Sequence, residues 1–262
     1  MVAGDLTVLA PYRAWGHGAA MAKAAAIDRK PKEPEGISAP DFRHIDAWVF
    51  DLDNTLYRAD CNLFEQIDRR MTVYIAQLLS MPEADAKRIQ KIYYRDHGTT
   101  LSGLMRVNGI DPEAFLDFVH DIDLSVLHVD ESLTRAIAKL PGRKFVFTNG
   151  CHNHAVRILE RVGLTDLIDD IWDIRTIAYT PKPDIAAYET VIAKSGLAPR
   201  TAAMFEDVAR NLVPAHTLGM TTVWLNNNSV WSKQGPEFPL VTSEHIHHEI
   251  TDLAQFLHSI RI

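Results

Sequence analysis

The chain has 262 residues, 47% of them apolar, and its 27 Lys and Arg against 34 Asp and Glu give a formal charge of −7. That length suits one large domain or a core with an insertion, and the acidic balance argues against the broad basic footprint of a protein that binds a nucleic-acid polymer. Two cysteines without CxxC spacing, Cys61 and Cys151, make no disulfide framework, no apolar run reaches the ~18 residues of a membrane span, and no signal-peptide order of charge, apolar block and cleavage site opens the chain. A reducing, cytoplasmic setting is expected.

Residues 1–44 are rich in Ala, Pro, Gly and Lys, with "RKPKEPEG" in the middle, and predict a loosely ordered extension. Met21 offers an alternative start. From residue 46 the pattern changes. "DAWVF" (46–50) predicts a short buried strand, "KFVFTNG" (144–150) a second of the same form, and "DDIWDIRTIAY" (169–179) a weaker one. "AAMFEDV" (202–208) and "TTVWLNN" (221–227) complete a set of five. Amphipathic helical stretches separate them: "HAVRILERVG", "DIAAYETVIAKSG" and "NLVPAHTLG". "EITDLAQFLHSI" closes the chain in the same way. Alternating strand and helix predicts a parallel, doubly wound, Rossmann-like α/β sheet with right-handed crossovers.

Between the first two strands this alternation stops. "LFEQIDRRMTVYIAQLL", "PEADAKRIQKIYYRDHG", "TTLSGLMRVNG" and "DPEAFLDFVHDI" all have helical spacing, with Gly or Pro at their joints. The expected organisation is an extension over 1–44, a core over 45–58 and 136–262, and an all-helical insertion over 59–135.

"VFDLDNTLY" (49–57) ends its strand with two acids, Asp51 and Asp53. Two carboxylates at 4 Å repel by roughly 4 kcal/mol at an effective dielectric of 20, so water or a cation must offset the cost. In an open parallel sheet ligands bind at the carboxyl ends of the strands. There the sequence supplies Asp51, Asp53 and Thr55, then Thr148 and Asn149, then Glu206 and Asp207, with Lys182 in the loop "TPKPD". A carboxylate can attack phosphorus and form an aspartyl-phosphate. An acid two residues on faces the same way in an extended segment and can protonate the leaving alcohol, then activate water. Thr148 and Asn149 offer a hydroxyl and an amide to phosphoryl oxygens, and Lys182 a positive charge. Asp51, Asp207 and a backbone carbonyl form an all-oxygen site of the kind Mg²⁺ prefers.

"DLDNTL", "TNG", "PKP" and "EDVARN" resemble, in order, the four motifs of the haloacid dehalogenase superfamily, and they span about residues 46–226. The resemblance implies that Asp51 is the nucleophile and Asp53 the general acid/base. It implies that Asp51, the Asp53 carbonyl and Asp207 hold Mg²⁺, with Glu206 a further or water-mediated ligand. Thr148, Asn149 and Lys182 would bind phosphate, and Asn211 would support the metal-binding loop. The insertion lies where that superfamily carries a C1-type cap. "YYRDHGTTLSGLM" and "HDIDLS" are similar to the cap and hinge of its pyrimidine 5′-nucleotidase subgroup. This implies a small phosphorylated substrate, a nucleoside monophosphate such as UMP or CMP, with Tyr94, His97 and Thr100 as candidate substrate contacts.

Plainer roles stand beside these. Thr55 can cap the turn after Asp53, Cys151 has no evident base partner and reads as structural, and His152 and His154 suit surface or capping positions. "EHIHHEI" (244–250) reads as the solvated start of the terminal helix, and Tyr93 and Tyr94 can serve a helical core as well as a base. Other activities are a phosphatase of another small ester, a phosphomutase that retains the phosphoryl group, and a silent nucleotide sensor. A dehalogenase needs no acid at position 53, and a sensor could drop the nucleophile or the acid that this chain keeps.

Overall fold

The computed structural model describes residues 39–227 and 244–262. Six strands form one parallel sheet in the order β3-β2-β1-β4-β5-β6. They are β1 (Ala47–Phe50), β2 (Arg143–Phe147), β3 (Asp170–Trp172), β4 (Ala202–Glu206), β5 (Thr221–Leu225) and β6 (His248–Ile250). All four residues of β1 are buried, as an inner strand covered on both faces requires. It pairs with β2 on one side and β4 on the other. The strand order reverses there, and the carboxyl ends of β1, β2 and β4 open on one crevice.

The sixth strand corrects a sequence expectation. The sequence places His248–Ile250 at the start of the terminal helix, whereas the segment pairs with β5. Burial alternates along this segment, with Ile250 inside and Glu249 outside, the period of a strand. The helix begins later, at Leu253. In "DDIWDIRTIAY" only three residues form strand, and the rest turns.

Four helices follow β1: α1 (Leu63–Leu79), α2 (Glu83–His97), α3 (Thr100–Asn108) and α4 (Pro112–Val119). They pack on one another, α1 against α2 and α4, and α3 against α2. Asp111 accepts from the Glu113 N–H to cap α4, with Pro112 in the first turn, and Thr99 caps α3. At Gly103 a Cβ would come within 2.4 Å of Tyr93 Cβ, so only glycine lets α3 lie this close to α2. The next helix, α5 (Glu131–Lys139), packs against α9 (Leu253–Ser259) in the core, although the sequence boundary at 135 cuts through it. The return linker is stitched to α6 (His152–Val162), where Arg157 donates to the carbonyls of His120 at 2.9 Å and Ile122 at 3.1 Å. Helices α7 (Ile185–Ser195) and α8 (Leu212–Thr217) join the later strands.

The expected extension, up to residue 38, lies outside the described residues. Residues 39–44 do not fit that reading. Phe42 is buried against Trp48 and Phe256, and its N–H donates to the Arg261 carbonyl at 2.8 Å. A single aromatic anchor in a polar stretch leaves no periodicity to read.

Candidate active site

A cleft of about 490 Å³ opens over the strand ends and is also walled by the helical block. Asp51, Asp53, Thr148, Asn149, Lys182, Glu206, Asp207 and Asn211 all line it, as do Tyr94 and Thr100 from α2 and α3. Thr55 and His97 are not among its lining residues. Thr55 is buried, its N–H closing a turn onto the Leu52 carbonyl. His97 packs its ring edge-on to Tyr93, 6.0 Å between centroids, because it falls on the face of α2 that meets α3.

Lys182 is the hub. It is only 2% exposed, and its ammonium donates to Asp51 Oδ1 at 2.6 Å, Glu206 Oε2 at 2.7 Å and the Phe147 carbonyl at 2.8 Å. An ammonium has three donors, and all three are in use. Burial works against this charge, but Asp51 and Glu206 outweigh it and hold the ammonium above its usual pKa. The lysine therefore stays charged while the acids around it compete for protons. Burial, reinforced by Glu206 and opposed by Lys182, pushes the Asp51 carboxyl up to about 7. Burial likewise pushes Asp207 well above the usual carboxylate range, with Glu206 and Asp51 adding to it.

Asn149 has a part that the sequence did not show. Its side chain accepts from the Lys182 N–H at 2.8 Å and donates to the Lys182 carbonyl at 3.1 Å. Asn149 thereby positions the lysine, and the second N–H of its amide remains a donor in the cleft it lines. Thr148 is buried with its hydroxyl oxygen accepting from the Gly150 N–H at 2.9 Å. Its O–H remains a donor toward the cleft it lines.

Asp53 belongs to a second network. Tyr57 Oη donates to its Oδ1 at 2.8 Å, and His154 Nε2 lies 2.9 Å from the same oxygen. The other carboxylate oxygen carries neither bond. Burial would raise Asp53, but His154 and Tyr57 outweigh it and hold the carboxyl below its ordinary value. His154 is thus not a surface residue. It falls on the inward stripe of α6 with Ala155, Ile158, Leu159 and Val162, a helical spacing visible in the sequence. His120, from the return linker, stacks on it at 4.2 Å between centroids, and His120 Nδ1 lies 3.1 Å from Cys151 Sγ. Cys151 has the partner that the sequence hid, but burial pushes its thiol up, away from the reactive thiolate.

Asp51, Glu206 and Asp207 can each bring a carboxylate oxygen within 4.8 Å of the others. Asp207 Oδ2 is buried with no hydrogen-bond partner, an orphan acceptor facing an all-oxygen donor set. These residues fit a hard divalent cation such as Mg²⁺. Glu206 already serves Lys182 and, through Oε1 at 3.2 Å, the Val208 N–H, so Asp51 and Asp207 are the better placed ligands.

Residues 45–219, which carry every group just described except the flanking strands and terminal helix, match the haloacid dehalogenase-like hydrolases. The chain belongs to this family. Phosphate metabolism protein 8 of Saccharomyces cerevisiae is 29% identical over 190 residues, 66% of this chain and 59% of that protein, so the chain spans about three-fifths of this relative's length. Two solved structures share the fold. A Haemophilus somnus protein described as a predicted phosphoglycolate phosphatase gives a TM-score of 0.55 at 17% identity, over 82% of this chain and 97% of that one. A haloacid dehalogenase-like phosphatase from Thermococcus onnurineus gives 0.54 at 17% identity, over 83% and 100%. Among the described residues no helix is long and apolar enough to cross a membrane.

Proposed function

We propose that this hydrolase is a phosphomonoesterase that works through an aspartyl-phosphate on Asp51, with pyrimidine nucleoside 5′-monophosphates as its substrates. The observation that carries the reading is the division of labour between two carboxylates lining one cleft. Asp51 is bound to Lys182, whereas Asp53 is held by His154 and Tyr57. In the first half-reaction an Asp51 oxygen attacks phosphorus as the bond to the ester oxygen breaks. Asp53, which enters this step carrying on its other oxygen the proton taken from water in the previous turnover, passes it to the departing alcohol. In the second, Asp53 takes a proton from water, the water oxygen attacks phosphorus, and the Asp51–phosphorus bond breaks to free inorganic phosphate. Mg²⁺ held by Asp51, Asp207 and the Asp53 carbonyl, when bound, supplies positive charge to the phosphoryl oxygens. Lys182 orients Asp51 and lowers repulsion between it and the incoming phosphate.

The nucleotide assignment rests on the resemblance of the helical block to nucleotidase caps and on Tyr94 and Thr100 in the cleft wall; the name of the yeast relative supports phosphate chemistry alone. We take α1–α4 as the cap. Arg175 after β3 grips Glu113 of α4 in a two-pronged ion pair, Nε 2.9 Å from each carboxylate oxygen, and would hold such a cap shut. The test is phosphate release by the full chain from UMP, CMP, AMP, glucose 6-phosphate, phosphoglycolate and phenyl phosphate, with Mg²⁺ or with EDTA. Release from UMP and CMP ahead of the others, abolished by EDTA, is expected. Phosphoglycolate as best substrate would reject the nucleotide class, and no release from any ester would reject the phosphatase.

Two outcomes follow from the charges. Replacing His154 with Phe keeps a ring against His120 but deletes the donor to Asp53. The acid limb of the kcat profile should move to higher pH, because the group that holds Asp53 low is gone; an unmoved limb would free His154 of this role. Second, Asp51 rises from its ordinary 3.8 to about 7 in the fold, so between those values the folded chain keeps a proton that the unfolded chain sheds. Stability contributed by this site therefore falls as pH rises, and protons compete with a cation for the same oxygens. The gain in Tm from Mg²⁺ should be larger at pH 8 than at pH 5 by differential scanning fluorimetry. A gain independent of pH would place the cation elsewhere.

A further inference from the structure

The cleft contains a second buried cation, and this one has no counterion. Arg210 sits in the turn after β4 and is 8% exposed. Its Nη2 donates to Tyr94 Oη at 2.5 Å, and its guanidinium carbon lies 4.8 Å from the centre of the Tyr94 ring. Nε and Nη1 are buried and have no hydrogen-bond partner, and no ion pair among the described residues includes Arg210. A buried guanidinium with idle donors is costly to a fold. It is reasonable where a ligand supplies the missing acceptors, and both Arg210 and Tyr94 line the cleft that holds Asp51.

The phosphoryl end of the cleft is already provided for. Thr148 stands at the end of β2 and Lys182 reaches in from the loop before α7. The ammonium of Lys182 is bonded to Asp51 and Glu206 there, whereas Arg210 makes no ion pair with these acids. Arg210 instead contacts α2 of the helical block, on the side where an ester's alcohol would lie. That wall mixes apolar Phe64, Met71 and Phe115 with Gln90, Lys91 and Arg95. The Lys91 and Arg95 cations there are exposed to water, so the buried guanidinium of Arg210 is the desolvated donor an oxygen on the alcohol would find.

We propose that Arg210, braced by Tyr94, is the specificity-determining residue of this site: its Nε and Nη1 donate to an oxygen acceptor on the alcohol part of the phosphomonoester. The ligand class is an ester of an oxygen-rich alcohol such as a nucleoside, as against a simple aryl or alkyl phosphate. The inference rests on the phosphatase reading above and adds to it a reason, outside the helical block, for discrimination.

The experiment compares the full chain with Arg210→Met and Arg210→Lys, using UMP and phenyl phosphate as substrates and uridine as a competitive inhibitor. Met fills the space without donors, and Lys keeps the charge but not the directed N–H groups. Loss of hydrogen bonds from a charged donor should reduce the kcat/KM ratio of UMP to phenyl phosphate about 10- to 100-fold in both variants. The change should fall mainly on KM, and uridine inhibition should weaken in step. Arg210→Met should melt no lower than wild type, since it removes an unpaired buried charge. A wild-type chain with no preference for UMP, variants that keep the ratio, or equal losses on both esters would overturn the assignment, the last by moving Arg210 to the phosphoryl group. If wild type releases phosphate from neither ester, the phosphatase reading is what fails. Calorimetric binding of UMP to wild type and Arg210→Met then decides on Arg210 alone: weaker binding by the variant upholds it, and equal or absent binding overturns it.

Discussion

Asp51→Asn is expected to reduce phosphate release on the order of 10⁴-fold or more, the scale on which loss of a nucleophile is felt. An amide cannot attack phosphorus, and among the described cleft residues no other carboxylate is held by Lys182 in the same way except Glu206, whose second oxygen is bound to the Val208 N–H. The fold should tolerate the change. The amide oxygen can still accept from Lys182, and removing one negative charge relieves Glu206 and Asp207, both buried beside it. A Tm within a few degrees of wild type, together with no acid-stable, alkali-labile phospho-enzyme in a quench-flow single turnover, is the expected pair of results. Turnover within tenfold of wild type would remove Asp51 as the nucleophile.

The groups at the strand ends were legible because each follows an apolar run that could only be a strand, and strands of a parallel sheet deliver their last residues to one edge. The helical block was legible for the same reason: seventeen residues from Leu63 to Leu79 carry a helical period long enough to stand out. The contacts between elements were not. Asn149 and Lys182 are 33 residues apart, and His154 and Asp53 are 101 apart; no local pattern announces that an amide will clamp a loop or that a helical histidine will turn inward onto an acid. His154 gave one sign, its place on the apolar stripe of α6. Arg210 gave none beyond its place inside "EDVARN", and only the fold shows that its guanidinium is buried. β6 was missed because three residues are too few for a period, and "HIHHEI" serves strand and helix alike.

Lys182→Met is expected to damage the fold as well as the reaction. The ammonium satisfies three acceptors in the interior, two of them carboxylates. Breaking a buried ion pair from one side strands the other partner, at a cost of about 3–5 kcal/mol. For a domain of this size that corresponds to a fall in Tm of about 10 °C. The loss should depend on pH in a stated direction. Asp51 and Asp207 are already pushed toward protonation by burial and by Glu206, and without the lysine they are pushed further. At pH 5 they escape the penalty by keeping protons. At pH 8 the fold must either hold them charged and unpaired or bind protons from a poor supply, so the gap between variant and wild type should widen as pH rises. Mg²⁺ offers the missing positive charge to the same oxygens, and should raise the Tm of the variant more than that of wild type. Turnover should remain depressed by about 10²- to 10³-fold even with Mg²⁺ present, because Asp51 has lost the bond that aims it and the phosphoryl group a preorganised charge. Melting curves across pH 5–8 with and without Mg²⁺ test the whole set. A variant as stable as wild type at pH 8 without cation would mean that the acids around Lys182 are not charged together, and the account of this cleft as a set of carboxylates balanced by one lysine would fall.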